Sequence, residues 1–248
     1  MVYHEIDFPV NTAAKVKAIR SSAVLQRGLG SNNDGVRISE TGDALHSPGY
    51  HIHPLDLREL SRHTPPSLPS TSSTAATEAM TSSESPSLLP DVDRNLPTLL
   101  ISECCLVYLS PQEADDVVRY FTKTLFPSTS LGLIIYEPIR PDDPFGRTMV
   151  ANLATRGIHL QTLSKYATLD AQRARLREQG LDTGQAAADI DFLWERWVSE
   201  AEKERVAGLE MLDEMEEWRL LAGHYCIAWG WRSHGPGGGY WEDLERQE

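Results

Sequence analysis

Cysteine is scarce in this chain of 248 residues, with three in all: Cys104, Cys105 and Cys226. An odd number, two of them adjacent, is neither a disulfide framework nor a zinc knuckle. That argues for a reducing, cytoplasmic setting. Basic charge is also in short supply, with 23 Lys and Arg against 36 Asp and Glu, a formal net charge of −13. A chain this acidic is a poor fit to a phosphate backbone or an anionic bilayer, so neither nucleic acid nor membrane is expected as a partner. No apolar run approaches the roughly 18–20 residues of a membrane span. The stretch from Met1 to Pro9 has no apolar core of the secretory kind. No Gly-x-Ser-x-Gly turn is present, which removes the common hydrolase reading of an α/β chain. No glycine-rich turn follows the first strand. The pair Gly28 and Gly30 follows a helix and does not replace it.

What is present is an alternation of β-type and α-type patterns. Residues 2–8 read as a strand that Pro9 ends, followed by a helix over 12–20 capped by Asn11 or Thr12. A loop is expected at 28–35, a strand at 50–55 and a turn of helix at 56–61. Ser, Thr and Pro dominate residues 61–90, which cannot bury enough surface to offset their ordering entropy. We expect a disordered insertion there, extending to about residue 95. Residues 96–103 form a nearly continuous apolar run ending in an acid, as buried parallel strands do. Ser110-Pro111-Gln112-Glu113 opens a helix over 111–126 with a capping-box signature. A second buried strand is expected at 131–137, and a helix at 144–155. Residues 168–200 read as helical with a break at 180–184. Residues 206–212 are strand or helix, 213–222 are helix, and 225–231 form a closing strand. The tail from 233 is expected to be flexible.

This order predicts a doubly wound α/β sheet of mostly parallel strands, with ligands at the strands' carboxyl ends. Three acids stand there: Asp7, Asp56 and Glu103. Each alone reads more readily as a helix cap than as a ligand. Three on one edge tilt the balance towards a site, where an acid after a second strand can accept both ribose hydroxyls. His51 and His53 with Asp56 could be drawn as a metal site, but no third nitrogen or sulfur donor has a recognisable spacing, and no metal is expected.

Five stretches carry a family resemblance. They are residues 3–9; Asp56-Leu57-Arg58-Glu59-Leu60; residues 96–108, with Ser102-Glu103-Cys104-Cys105-Leu106-Val107-Tyr108 the most specific part; Tyr136-Glu137 with Asp143-Pro144-Phe145-Gly146-Arg147; and residues 212–216 with His224-Tyr225-Cys226. Through them the chain resembles the leucine carboxyl methyltransferases. These use S-adenosylmethionine to methylate the C-terminal leucine carboxylate of the type 2A protein phosphatase catalytic subunit. The resemblance implies a Rossmann-like class I methyltransferase sheet and that cofactor and partner. It implies that Asp7 holds the ribose hydroxyls, that Asp56 and Leu57 meet the adenine, and that Glu103 faces the methionine portion. Tyr108 would line the substrate pocket. For Arg147 the alternatives are a clamp on the substrate carboxylate and a helix-surface ion pair.

The family's glycine-rich turn and an upstream helical region precede the position of Val2. The chain is therefore expected to be an incomplete methyltransferase domain over 1–232, with its first strand missing and a helical cover over 140–205. Two alternatives accompany this reading. One is an inactive fragment or a non-catalytic phosphatase-binding module. The other is the related carboxyl methyltransferase that acts on the transfer-RNA base wybutosine.

Overall fold

The computed structural model describes residues 1–29, 35–63, 88–209, 214–233 and 246–247. Most of the Ser/Thr/Pro-rich insertion and most of the tail lie outside these, so the expectation of disorder falls there on residues that are not described; residues 88–95, which the expected insertion included, instead form ordered turns with Leu89 buried. The chain divides into two units, Met1–Asp93 and Arg94–Glu248.

In the first unit, β1 (Tyr3–Asp7) leads into α1 (Pro9–Ser21) and α2 (Ala23–Gly28). Proline 9 opens the helix rather than merely ending the strand. It stands at the first helical turn, where its missing N–H costs nothing, so α1 starts three residues earlier than the sequence pattern placed it. One face of α1 is buried through Thr12, Val16 and Ile19, the spacing of a helical stripe. Val16 and Ile19 pack on Leu45 and Ile52, the core of this unit. A short hairpin, β2 (Arg37–Ile38) and β3 (Leu45–His46), precedes β4 (Tyr50–Pro54) and α3 (Leu57–Arg62). The sheet order is β1-β4-β3-β2, with β1 and β4 parallel and the rest antiparallel.

The second unit starts with β5 (Thr98–Glu103), a 3-10 turn over Leu106–Tyr108 and α4 (Pro111–Arg119). The capping box of α4 forms as read, with the Ser110 side chain accepting from Glu113 N–H and the Glu113 carboxylate accepting from Ser110 N–H. A π-helical segment, Tyr120–Leu125, continues α4. Then come β6 (Leu131–Pro138), α5 (Pro144–Thr155), α6 (Leu169–Glu178), β7 (Gly184–Asp189), α7 (Ile190–Trp197), α8 (Glu200–Ala207), α9 (Met215–Ala222) and β8 (Tyr225–Arg232). The sheet order is β5-β6-β8-β7, with only β5 and β6 parallel. Its core joins Ala186, Ala188 and Leu193 to Trp229 and Trp231.

Three features depart from the sequence reading. The strand expected to be buried over 96–103 is β5, which has no buried residue and leaves Leu99 and Ile101 exposed, because an apolar run shows that a strand can be covered and not that it is. The single doubly wound sheet is resolved into two four-stranded sheets, one in each unit, and β1 and β5 are edge strands of their sheets. The expected helical cover over 140–205 also contains a strand, β7. Its Gly-Gln-Ala-Ala-Ala-Asp composition lacks the β-branched residues that advertise strands. Small side chains are needed there because β8 brings tryptophan against them. A Cβ on Gly184 would stand 2.3 Å from the Trp231 ring.

Candidate functional site

In the first unit the carboxyl ends of two parallel neighbours carry the expected acids. Register pairs Asp7 with Pro54, which puts Asp56 just past the end of the adjacent strand. The Asp7 Oδ1 accepts from Phe8 N–H at 2.7 Å and from the Asn11 amide at 3.0 Å. This ties it to the start of α1, whose N-cap Phe8 has no capping side chain of its own. Asp56 is the N-cap of α3, accepting from Arg58 N–H at 3.0 Å. The Arg58 guanidinium adds three more contacts of 2.6–2.9 Å across both oxygens. These hydrogen bonds, that of the side chain first, hold the Asp56 carboxyl below the usual carboxylate range. A carboxylate has about four lone-pair sites, so Asp56 is fully engaged here. Leu57, half-buried, is the first residue of α3.

In the second unit Glu103 ends β5, in register with Tyr136 on β6. Its side chain is exposed, and among the described residues it caps no helix and forms no ion pair. The next residue, Cys104, has φ of +42°, in the left-handed region that non-glycine residues seldom occupy. Its N–H donates to Tyr136 O at 2.9 Å, so the strand ends in an abrupt turn. Tyr136 stacks on Tyr225 of β8 with ring centroids 5.4 Å apart. Burial, then the neighbouring Cys104 and other acidic groups, pushes the Tyr136 phenol up to about 12. Tyr108 closes the 3-10 turn with its ring exposed and its carbonyl accepting from the Gln161 amide at 2.6 Å. Arg147 lies on the exposed side of α5, where its guanidinium donates to the carbonyl of Asp142. Among the described residues it forms a helix-surface contact to backbone, and no ion pair.

The rest of the matched Tyr-Glu and Asp-Pro-Phe-Gly-Arg stretches is structural in this geometry. Glu137 is buried against Arg175 at 2.9 Å. Asp143 caps α5 through Gly146 N–H at 2.7 Å and meets His224 Nε2 at 2.9 Å. Gly146 is required by close approach, since a Cβ there would stand 2.0 Å from the Arg140 carbonyl oxygen. Tyr136 and Tyr225 lie near the end of β5 with Cys104 without having been singled out from sequence as site residues, although all three stand in matched stretches.

His51 and His53 do share a face, but not with Asp56. His51 Nδ1 lies 3.1 Å from His46 Nδ1, and His53 Nε2 lies 3.0 Å from His4 Nδ1. Burial, then the other imidazoles, pushes the His53 pKa down to about 4.

Parallel strands feeding helices, with acids at their carboxyl ends, give a mixed α/β architecture consistent with the class I methyltransferases. No protein-family model matches the chain. Individual relatives do. A leucine carboxyl methyltransferase 1 from Aspergillus fumigatus is 67% identical over 235 residues, covering 94% of this chain and 58% of the relative. The protein of that name from Emericella nidulans is 59% identical over 252 residues, covering 100% and 63%. That from Schizosaccharomyces pombe is 36% identical over 223 residues, covering 90% and 62%. Over nearly its whole length the chain is thus homologous to leucine carboxyl methyltransferases, and it spans about three-fifths of the length of these relatives.

Proposed function

We propose that this chain is part of an S-adenosylmethionine-dependent enzyme that methylates the C-terminal leucine α-carboxylate of the type 2A protein phosphatase catalytic subunit. The observation that carries the reading is the 67% identity to a leucine carboxyl methyltransferase 1 over 94% of the chain. The acids at the ends of β1, β4 and β5 support it.

The resemblance supplies the residue roles, and the chemistry of each side chain suits its part of the cofactor. In this reading Asp7 accepts the ribose hydroxyls; only its Oδ1 is held by the start of α1, which fixes the carboxylate's direction. Leu57 packs on the adenine ring, and Asp56 accepts from the adenine amine in exchange for one Arg58 N–H. Glu103, an exposed carboxylate at a strand end beside the half-buried Tyr136, suits the ammonium and sulfonium charges of the methionine portion. When bound, S-adenosylmethionine supplies a methyl group already activated by sulfonium.

The protein's task is therefore mostly positioning. An α-carboxyl has a pKa near 3.3–3.7, so the nucleophile is ionised at neutral pH and no general base is needed. Holding the carboxylate in line and away from water does the rest. Tyr108 is the exposed side chain of the second unit that would line the leucine's approach. Arg147 is the weaker candidate for steering the carboxylate, because its guanidinium is already committed to Asp142.

Calorimetric titration of S-adenosylmethionine into the 248-residue chain tests the residue assignments. Asp7→Asn and Glu103→Gln should each weaken saturable binding by about tenfold, the loss of one charge-assisted hydrogen bond. Binding untouched by both substitutions sinks those assignments. For the longer protein, transfer of labelled methyl to a phosphatase tail peptide ending in a free leucine carboxylate, and none to its amide, is the result expected. Equal labelling of both peptides would refute the substrate.

A further inference from the structure

Four imidazoles share one face of the first sheet, and register puts them there. His4 on β1 is opposite His51 on β4, and His51 is opposite His46 on β3. His53 is two residues beyond His51 and therefore on the same side of the pleat. The His4 and His51 rings stack at 4.5 Å with an 8° angle between their planes.

Within this pile three donor atoms converge. His46 Nδ1 is 3.1 Å from His51 Nδ1 and 3.0 Å from Asp91 Oδ2, and the last two atoms are 3.8 Å apart. Hydrogen bonding alone serves this trio badly. Two imidazole nitrogens face each other, and the carboxylate oxygen competes for whatever proton lies between them. A cation takes a lone pair from all three at once. Tetrahedral ligands at zinc's bond length of about 2.0–2.1 Å stand roughly 3.3 Å apart, and the three observed separations straddle that value.

We propose that His46, His51 and Asp91 bind a divalent transition-metal ion of the zinc class, with water completing its coordination. Two imidazoles and a carboxylate are the donor set of zinc and its neighbours, whereas magnesium and calcium prefer oxygen throughout. The imidazoles are mostly buried while Asp91 is 40% exposed, facing a pocket of about 350 Å³ edged by Gly35 and Pro48. Solvent therefore reaches the ion's remaining positions. The exposed Arg37 guanidinium contacts the same Asp91 oxygen at 3.2 Å and is the cation an incoming ion displaces.

The site is separate from the strand-end acids. His4 is three residues back from Asp7 along β1, about 10 Å at the rise of a strand. The ion would clip the turn at Asp91 to the β3–β4 hairpin, 40 and 45 residues away in sequence.

The test is titration of zinc(II), followed by calorimetry, and of cobalt(II), followed by visible absorption, into chelator-treated full chain. The folding of each variant is checked by far-UV circular dichroism. One equivalent should bind saturably, with the intense visible bands of a low-symmetry cobalt site. His46→Ala and Asp91→Asn should each weaken binding about tenfold or more. His159→Ala, an exposed histidine in the second unit, should leave it unchanged, and Arg37→Gln should bind at least as tightly as the parent. Asp91→Asn is close to isosteric and half-exposed, so it reports on the site even where His46→Ala disturbs the hairpin. Absence of saturable binding, or parental affinity in both His46→Ala and Asp91→Asn, overturns the proposal. Weaker binding in Arg37→Gln overturns the assignment of Asp91 as a ligand.

Discussion

Arg175 of α6 places Nη1 2.9 Å from Glu137 Oε2 at the end of β6, with both side chains only 1% exposed. Tyr166 covers the guanidinium, 4.2 Å from ring centroid to Cζ. Two charges this deeply buried hold each other in place at a large desolvation cost. Burial pushes the Glu137 carboxyl above the usual carboxylate range, in spite of Arg175. Removing one partner should cost more than removing both. Arg175→Met is expected to lose about 3–5 kcal/mol, and the pair Arg175→Met with Glu137→Leu distinctly less. Urea unfolding of the three chains measures both. A double variant as unstable as the single one would show that packing, not the stranded charge, sets the loss.

Asp143 titrates in the opposite direction. Its carboxyl is held below the usual range by Gly146 N–H first and His224 second. A depressed folded pKa means that the stabilisation is complete above the unfolded value, near 3.9, and is lost as pH falls through the folded value. Asp143→Asn keeps an N-cap acceptor but cannot ionise. Its urea midpoint should therefore fall less steeply than the parent's on acidification below about pH 4. Parallel pH profiles would remove Asp143 from the acid response.

The third expectation concerns β5. Among the described residues it pairs on one side only, and Leu99 and Ile101 project from one face at 47% and 63% exposure. An open apolar edge is a template for another chain. The 248-residue chain should self-associate as concentration rises, and Ile101→Lys should suppress this without loss of far-UV signal. Light scattering across a dilution series decides it. Unchanged association in Ile101→Lys would place the sticky surface elsewhere.

Much of the architecture could be read from residues alone, for reasons that differ from element to element. The runs at β5 and β6 are apolar on both faces, and α4 carries its capping box in plain sequence. Each of these signals is local. Strand β7 is the counterexample: its glycine and alanines are chosen by the tryptophans of β8, about forty-five positions further on, and no local pattern records that. The division of strands into two sheets is likewise a matter of pairing, which periodicity does not encode.

The placement of the strand-end acids was legible to the same degree. Asp7, Asp56 and Glu103 stand at the strand ends where the pattern put them. What the sequence left undecided was which acids serve as caps. Asp56 does, Asp7 supports the start of α1, and Glu103 does neither. The histidine pile was half visible. His51 and His53 announce themselves by alternation, whereas His46 depends on hairpin register, and Asp91 falls inside the stretch that the sequence reading assigned to the disordered insertion.

Arg232, the last residue of β8, donates to the carbonyls of Thr122, Phe126 and Thr129. A π-helical turn leaves carbonyls off the regular ladder, and here one guanidinium at the far end of a strand collects two that lie in and just after that turn. The end of the α4 helix and the outermost turn of the sheet's closing strand are thereby joined as one cooperative unit. Their backbone amides should exchange with solvent together, at one common opening free energy rather than as two independently fraying ends.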